Sequence, residues 1–255
     1  MKRNLYLNVQ EKETALSRFL EAFSHIQPGR ERISVIHSLG RITSEAVYAR
    51  YSSPSYNSCA MDGIAVISAH TKGASESHPL RLIYEKDYLD VDTGDMIMPP
   101  YDAVIMAEDL IETEDGEGYT IIAPTHPFAH VRAIGEDIVA KEMILPTGHR
   151  IRAIDISVLI SAGITEIEVI KKPVVGIIPT GDEMIEYTEP LEDGKIIETN
   201  SWMFENLVTE NDGIGRRYPI LPDDLELIRQ KLSEAVSECD MVIINAGSSA
   251  GRDDY

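Results

Sequence analysis

Two loops in the last third of the chain combine small residues with carboxylates directly after apolar segments. Residues 180–183 (Thr-Gly-Asp-Glu) follow the apolar run 174–178, and residues 246–251 (Ala-Gly-Ser-Ser-Ala-Gly) follow the apolar run 241–245. Small residues allow backbone N–H groups to approach a phosphate or another oxyanion closely. The predicted residues of this anion-binding site are Thr180, Gly181, Asp182, Gly247, Ser248, Ser249 and Gly251.

Carboxylates in and near the same loops could hold a cation. Glu183, Asp223 and Asp254 would supply oxygen ligands, which a hard divalent cation such as Mg²⁺ prefers. Loops of Gly, Ser and Asp after strands are also common as ordinary surface turns, and composition alone leaves that alternative open. A functional role is favoured because both loops follow strands of one predicted sheet, beyond whose carboxyl ends ligands bind.

Three acidic turns earlier in the chain are weaker candidates. They are Asp62 before Gly63, residues 92–95 (Asp-Thr-Gly-Asp) and residues 134–137 (Ile-Gly-Glu-Asp). Each is also typical of a plain turn. The seven histidines show no paired ligand spacing, and the chain contains neither a Walker-type loop nor a G-x-G-x-x-G motif. We therefore expect no zinc site and no nucleotide site of those classes.

The elements that must position the two loops alternate between strands and helices. Apolar strands are predicted at 174–178, 214–220 and 241–245, with helices at 201–209 and 223–237, the first capped by Asn200 or Ser201. This β-α-β-α-β order predicts a parallel, doubly wound sheet. The chain stops ten residues after the third strand. We expect that it is a fragment, or that another subunit covers the open edge of the sheet.

The preceding part of the chain is predicted to be mixed α and β. A helix is expected at 11–26, a second helix at 155–162 and a half-buried strand at 164–170. Between them, turn-rich sequence separates short strands at 63–67, 80–84, 103–107, 110–112 and 119–123. The predicted fold class is therefore α/β multidomain: a mixed α+β N-terminal domain with an inserted β-domain, followed by a truncated doubly wound α/β domain.

Charge and cysteine content restrict the classes of function. The 255 residues include 23 Lys+Arg and 43 Asp+Glu, so the formal net charge is −20. An excess of acid this large argues against nucleic acid and against an anionic membrane surface as partners. The N-terminus has no signal-like apolar region, and two unrelated cysteines, Cys59 and Cys239, build no disulfide framework. We expect a cytoplasmic protein.

Several motifs, in sequence order, resemble those of one family, the MoeA/gephyrin E-domain family of molybdopterin molybdenumtransferases. Residues 59–66 (C-A-M-D-G-I-A-V) are similar to the family's S-A-M-D-G-Y-A-V, and residues 180–183 to its T-G-D-E. Residues 240–251 (D-M-V-I-I-N-A-G-S-S-A-G) resemble its A-D-V-V-I-T-S-G-G-V-S-V-G. The remaining matches are at 40–42, 93–105, 132–138 and 199–201.

The resemblance implies three domains. Domain I would comprise 1–48 and 135–170 and form a homodimer, domain II would be the inserted β-domain 49–134, and domain III would be the molybdopterin-binding domain, here incomplete, at 171–255. The family's lysine-containing K-P-G-K-P segment and its domain IV would lie beyond Tyr255. We therefore expect residues 1–255 alone to be inactive or weakly active.

The resemblance also implies a reaction, in which molybdate is inserted into the dithiolene of adenylylated molybdopterin with release of AMP and assistance from Mg²⁺. An adenylyltransferase that supplies this substrate would be a partner. The implied metal ligands are Glu183, Asp223 and Asp254, and the implied catalytic residues are Asp62, Thr93, Asp137, Glu183, Asp223 and Asp254. Two alternatives are a non-catalytic dimeric scaffold of the gephyrin type and a CinA-like nucleotide-processing enzyme. Retention of Asp62 and Glu183 argues against the scaffold, and the region of Asp62 argues against the CinA-like enzyme. The choice between molybdate and tungstate stays open.

Overall fold

The computed structural model describes residues 10–245, which form two compact units. One unit is Glu31–Val169, and the other combines residues 10–30 with residues 170–245. Within residues 10–245 no helix combines the length and the apolar composition needed to cross a membrane. The three-domain division given above stays a prediction.

The described residues form four α-helices, three short 3₁₀-helices and seventeen strands. The α-helices are α1 (Lys12–Ala22), α2 (Ala153–Ser161), α3 (Asn200–Glu210) and α4 (Leu225–Glu238). The strands are β1 (Arg30–Ser34), β2 (Val47–Tyr48), β3 (Ser58–Cys59), β4 (Gly63–Val66), β5 (Leu80–Ile83), β6 (Tyr88–Val91), β7 (Ala103–Met106), β8 (Ile111–Glu112), β9 (Gly118–Ile121), β10 (Val131–Arg132), β11 (Met143–Leu145), β12 (Glu166–Ile170), β13 (Val174–Pro179), β14 (Met184–Ile185), β15 (Ile196–Ile197), β16 (Ile214–Arg217) and β17 (Met241–Asn245).

The unit Glu31–Val169 is rich in small antiparallel sheets. Strand β4 lies between β6 and β7, and β9 lies between β5 and β8. Their apolar side chains form one core around the fully buried Ile64 and Ile121. A second core surrounds Leu159 of α2 and Val169 of β12, and it joins the residues on either side of the β-rich segment. The predicted fold class, a mixed α and β region with a β-rich insert, is confirmed here.

The other unit contains a three-stranded parallel sheet in the order β16-β13-β17. Strand β13 is central and pairs in parallel with β16 from Val174 and with β17 from Val175. Ile178 of β13 is fully buried and packs with residues of this unit that include Ala235 of α4. The predicted parallel β-α-β-α-β arrangement is therefore confirmed, with the first strand of the motif in the centre.

Several predicted boundaries are wrong for local reasons. Strand β16 ends at Arg217 instead of 220, because the regular ladder is lost after residue 218: the Tyr218 amide still donates to the Ile177 carbonyl, but Leu221, not Ile220, donates to the Pro179 carbonyl. Helix α4 begins at Leu225 instead of 223, because Asp224 is its N-cap and accepts hydrogen bonds from the amides of Glu226 (2.9 Å) and Leu227 (3.0 Å).

Further differences concern α1, α3 and β6, and two shifts of one or two residues: α2 spans Ala153–Ser161 instead of 155–162, and β12 begins at Glu166 instead of 164. Helix α1 ends at Ala22 instead of 26, since the Ser24 hydroxyl donates to the Glu21 carbonyl at 2.7 Å and satisfies one of the last helical acceptors. The N-cap of α3 is Thr199, neither Asn200 nor Ser201, both of which lie inside the helix. Strand β6 was not predicted at all, because its sequence, Tyr-Leu-Asp-Val, carries a charge among the apolar residues.

Candidate functional site

The carboxyl ends of β13 and β17 are joined at Thr180. Pro179 pairs with Asn245, and the Thr180 amide donates a 3.0 Å hydrogen bond to the Asn245 carbonyl. The Thr180 hydroxyl lies 3.3 Å from the same oxygen. Thr180 is buried, so it holds the first predicted loop against the end of the third strand.

The next residues join this loop to the chain that follows β16. The Gly181 amide donates to the Leu221 carbonyl at 3.0 Å, and the Leu221 amide donates to the Pro179 carbonyl at 2.9 Å. The Asp223 amide then donates to Asp182 Oδ1 at 3.2 Å. The structure therefore brings Asp182 and Asp223 together at one edge of the sheet, as expected for chain segments that leave the same ends of parallel strands.

Gly181 allows the loop to turn back over itself. Its φ of +140° is a conformation that L side chains rarely adopt, and an added Cβ would lie 2.9 Å from Met184 Cγ and 3.1 Å from Glu183 Oε2. The Glu183 carboxylate is thus placed beside the Gly181 backbone. Only a residue without a side chain leaves this space free.

A lysine that the sequence reasoning did not select lies at the same loop. The Lys195 ammonium donates to the Asp182 carbonyl oxygen at 2.8 Å, and the Ile196 amide donates to the Glu183 carbonyl at 2.9 Å. Lys195 places a positive charge next to the backbone of Asp182. No local motif marks it, because it reaches the loop through the pairing of β14 with β15.

The N-terminus of α3 reaches the same edge through Asn200. The Asn200 Nδ2 lies 3.5 Å from Asn245 Oδ1, which connects the first residue of α3 with the last residue of β17. The N-terminal end of a helix carries partial positive charge. The sequence pattern marks Asn200 only as a possible N-cap of a helix. Its place beside the sheet edge could not be predicted from that pattern.

A buried polar network fixes this end of α3. Glu198, whose side chain is 1% exposed, accepts hydrogen bonds from the Ser201 amide (2.8 Å) and from the Ser201 hydroxyl. Arg217 Nε donates to that hydroxyl at 2.6 Å, and Arg217 Nη2 donates to both oxygens of Glu186 at 2.8 and 2.9 Å. The guanidinium also lies over the Trp202 ring, 4.5 Å from its centroid. The network ties α3 to the end of β16.

Asp62 and Thr93 form a separate cluster in the unit Glu31–Val169. The Thr93 amide and the Thr93 hydroxyl both donate to Asp62 Oδ1, each at 2.8 Å. Because these hydrogen bonds stabilise the ionised form, with the backbone bond as the larger cause, the pKa of Asp62 is lower than usual. The structure therefore brings together two residues that are 31 positions apart in the sequence, while their catalytic role stays a prediction.

Asp137 belongs to another pair in the same unit. Its carboxylate accepts a 2.7 Å hydrogen bond from Arg132 Nη2, and Glu136 accepts one from Arg132 Nε at 3.2 Å. The Asp137 amide donates to the Ser53 carbonyl at 3.0 Å. The side chains of Arg132, Glu136 and Asp137 are 41%, 48% and 52% exposed, so these three residues form an accessible ionic cluster.

The predicted metal site is only partly covered by the described residues. Between residues 10 and 245, no three His, Cys, Asp or Glu side chains converge in a way that would hold a metal ion. Glu183 and Asp223 lie in the described part, and their oxygens suit a hard cation. The third expected ligand, Asp254, and the loop residues Gly247, Ser248, Ser249 and Gly251 lie outside the described residues.

Comparison with known families assigns both parts of the chain. Residues 10–163 match the family profile described as "MoeA N-terminal region (domain I and II)". Residues 176–255 match the profile described as "Probable molybdopterin binding domain". The first match alone covers more than half of the chain. The second match contains the sheet edge at which Thr180, Asp182 and Asp223 meet.

Individual relatives agree with these matches. The chain is 31% identical to a molybdopterin molybdenumtransferase of Staphylococcus epidermidis over 259 residues, which is 94% of this chain and 60% of that protein. A Staphylococcus aureus protein of the same name is 31% identical over 238 residues, with 88% and 56% covered. Among solved structures, a molybdopterin biosynthesis MoeA protein from Pyrococcus horikoshii has a TM-score of 0.81 and 28% identity, with 92% and 64% covered. The chain thus spans about 60% of the length of the curated relatives it matches.

Proposed function

Because the chain belongs to the MoeA family, we propose that it serves in molybdenum cofactor biosynthesis, in the insertion of molybdate into the dithiolene of adenylylated molybdopterin with release of AMP. The observation that carries this proposal is the convergence of Asp182 and Asp223 at the carboxyl edge of the parallel sheet. Such an edge is where α/β sheets bind ligands. The names of the two staphylococcal relatives support the same class of reaction.

Charge explains why this reaction would need a cation. The phosphates of the substrate and molybdate are anions, whereas the chain carries a net charge of −20. Glu183 and Asp223, together with Asp254, are the residues that would hold Mg²⁺. When bound, this ion would neutralise phosphate charge and polarise the phosphoanhydride.

The residues of the first loop, 180–183, have two different roles. The amides of Thr180 and Gly181 already donate to carbonyl groups of the protein, so these two residues set the path of the loop. The side chains of Asp182 and Glu183 are then the groups of the loop that act on cation and substrate. Lys195, at 2.8 Å from the Asp182 carbonyl, adds a positive charge that favours an anionic ligand.

Asp62 is proposed as a further carboxylate that acts in the reaction, within the unit Glu31–Val169. The two Thr93 hydrogen bonds keep Asp62 ionised, so this carboxylate can accept a hydrogen bond or orient a cationic group but does not serve as an acid near neutral pH. Asp137, paired with Arg132, is proposed as a further acidic group for the reaction. We also propose that the protein is a homodimer and that an adenylyltransferase supplies its substrate.

Substitution of Glu183 tests the proposed function. Glu183→Gln removes the negative charge and keeps the size of the side chain, so we expect molybdate-dependent AMP release to fall at least about tenfold. Glu192→Gln, at an exposed position in the same unit, is the matched control and should keep the rate unchanged. The assay uses the protein as its host makes it, with purified adenylylated molybdopterin and Mg²⁺. Equal rates in both variants, or release of AMP without molybdate, would contradict the proposal.

A further inference from the structure

A cavity of about 700 Å³ opens on the unit Glu31–Val169, and none of the site residues assigned above lines it. It is lined by the segment 50–56 and by Ile134, Ala140 and Ser161, and we call it the tyrosine pocket after its two aromatic residues, Tyr51 and Tyr56. Its volume lies within the range of small-molecule sites. Tyr51 is 54% exposed and Tyr56 is 38% exposed, so ring surface is available to a ligand.

The backbone holds Tyr51 in place. The amides of Arg50 and Tyr51 both donate to the Ala162 carbonyl, at 2.9 and 3.0 Å. Gly163 has a φ of +80°, and an added Cβ there would lie 2.3 Å from Tyr51 Cδ2 and 2.6 Å from Cε2. The ring therefore occupies space that only glycine leaves free, and it is positioned before any ligand arrives.

Tyr56 connects the pocket with the cluster of Asp62 and Thr93. Its hydroxyl donates to the Gly94 carbonyl at 3.2 Å, and Gly94 directly follows Thr93. The Thr93 amide and hydroxyl are the donors to Asp62 described above. A ligand that contacts the Tyr56 ring would therefore lie next to a residue already proposed for the reaction.

The polar groups of the pocket suit an anion. Arg50 is the single charged residue among the described residues that line it, and four serines contribute hydroxyl or backbone groups: Ser52, Ser53, Ser55 and Ser161. The Arg50 guanidinium carbon lies 5.4 Å from the centroid of the Tyr51 ring. In a chain with a net charge of −20, a pocket whose lining carries only positive charge is a local exception that would attract a phosphate.

We propose that the tyrosine pocket binds a planar heteroaromatic ring that carries a phosphate, with the ring on Tyr51 and the phosphate at Arg50. Stacking on an aromatic side chain requires only a π face, and the guanidinium favours a phosphate in a planar, two-point geometry. The choice of ligand rests on the proposed function. A nucleotide and a pterin phosphate share this chemistry, and adenylylated molybdopterin contains both.

Calorimetric titration of the protein with defined probes tests the pocket. The probes are AMP, adenosine, inorganic phosphate and 6-hydroxymethylpterin phosphate. We expect AMP or 6-hydroxymethylpterin phosphate, or both, to bind more tightly than adenosine and than inorganic phosphate. The one that binds more tightly shows whether the pocket takes the nucleotide or the pterin phosphate. Tyr51→Leu should weaken its binding about tenfold, because the stacking surface is lost. Arg50→Gln should lower the affinity for the phosphorylated probe to that for the same ring without its phosphate.

Two control variants remove similar side chains elsewhere. Tyr84→Leu removes a tyrosine that is 48% exposed, close to the 54% of Tyr51, and Arg18→Gln removes an exposed arginine. Neither residue lines the pocket. Both should bind the probe as the unsubstituted protein does. Gly163→Ala should weaken binding as Tyr51→Leu does, since the added methyl group displaces the ring. The proposal would be contradicted if neither AMP nor 6-hydroxymethylpterin phosphate bound. It would also be contradicted if the dissociation constant changed less than twofold in both Tyr51→Leu and Arg50→Gln.

The two proposals fail in different ways. If Glu183→Gln abolishes probe binding and Tyr51→Leu leaves it unchanged, the tyrosine pocket is wrong and the proposed function stands. If Tyr51→Leu weakens probe binding while Glu183→Gln leaves molybdate-dependent AMP release unchanged, the proposal for the tyrosine pocket is supported. The proposed catalytic role of the sheet edge is then wrong.

Discussion

Helices α1 and α3 have the same length, 11 residues, but the protein supports them in opposite ways. Helix α1 buries none of its residues, and its large apolar side chains are about half exposed, with Leu16 at 52% and Leu20 at 60%. Helix α3 is anchored at its start by the buried network of Glu198, Ser201 and Arg217. An amphipathic pattern alone therefore does not show how firmly a helix is held, because the hydrogen bonds at its end can matter more.

The largest expected effect comes from breaking the anchor of α3. Arg217→Leu would leave the buried Glu198 carboxylate without its cationic partner, 3.6 Å away, and would release the Ser201 hydroxyl. We expect the free energy of unfolding to fall by about 3 kcal/mol. Thermal and urea unfolding followed by circular dichroism measure this loss.

A double substitution separates the unpaired charge from the loss of packing. In Glu198→Gln with Arg217→Leu, no buried charge is left without a partner, so the protein should be more stable than Arg217→Leu alone by about 1 kcal/mol or more. A double variant that is no more stable than Arg217→Leu would show that the loss comes from the other contacts of Arg217, with Glu186 and the Trp202 ring, and not from an unpaired Glu198 charge.

Helix α2 provides an intermediate case, in which one exposed arginine and one buried carboxylate hold the N-terminus. Asp155 accepts hydrogen bonds from the Arg152 side chain (2.8 and 3.0 Å) and amide (2.8 Å) and lies 2.6 Å from His149 Nε2. The Arg152 side chain is the largest cause that holds the pKa of Asp155 far below its usual value. Because Arg152 is largely exposed, we expect Asp155→Asn to cost only about 1.5 kcal/mol at pH 7.

The effect of Asp155→Asn should depend on pH. A carboxyl group whose pKa is lowered in the folded state stabilises the protein above its unfolded pKa of about 3.9, and this contribution is lost as the pH falls toward the folded value. The difference in melting temperature between Asp155→Asn and the unsubstituted protein should therefore be constant above about pH 5 and shrink below about pH 4. A difference that grows on acidification would contradict the assigned network.

The comparison also shows what the sequence could predict. The period of apolar residues predicts the parallel strands and the helices between them, and sheet topology then predicts that the segment at Asp182 meets the segment at Asp223. Lys195 and Arg217 reach their partners through pairing between segments that are 13 or more residues apart, and no local period marks such contacts. The tyrosine pocket was missed because residues 50–56 read as a turn-rich stretch, whose shape depends on distant Gly163.

The smallest expected effect tests the exposed helix. Leu20→Gln on α1 replaces an apolar side chain that is 60% exposed with a polar one of similar size, so little buried apolar area is lost. We expect the free energy of unfolding to change by less than about 0.5 kcal/mol, against about 3 kcal/mol for Arg217→Leu, in the same urea titration. A loss of 2 kcal/mol or more would show that the apolar face of α1 is covered in solution, and the comparison between the two helices would then reverse, because α1 would owe its stability to packing and not to its own backbone.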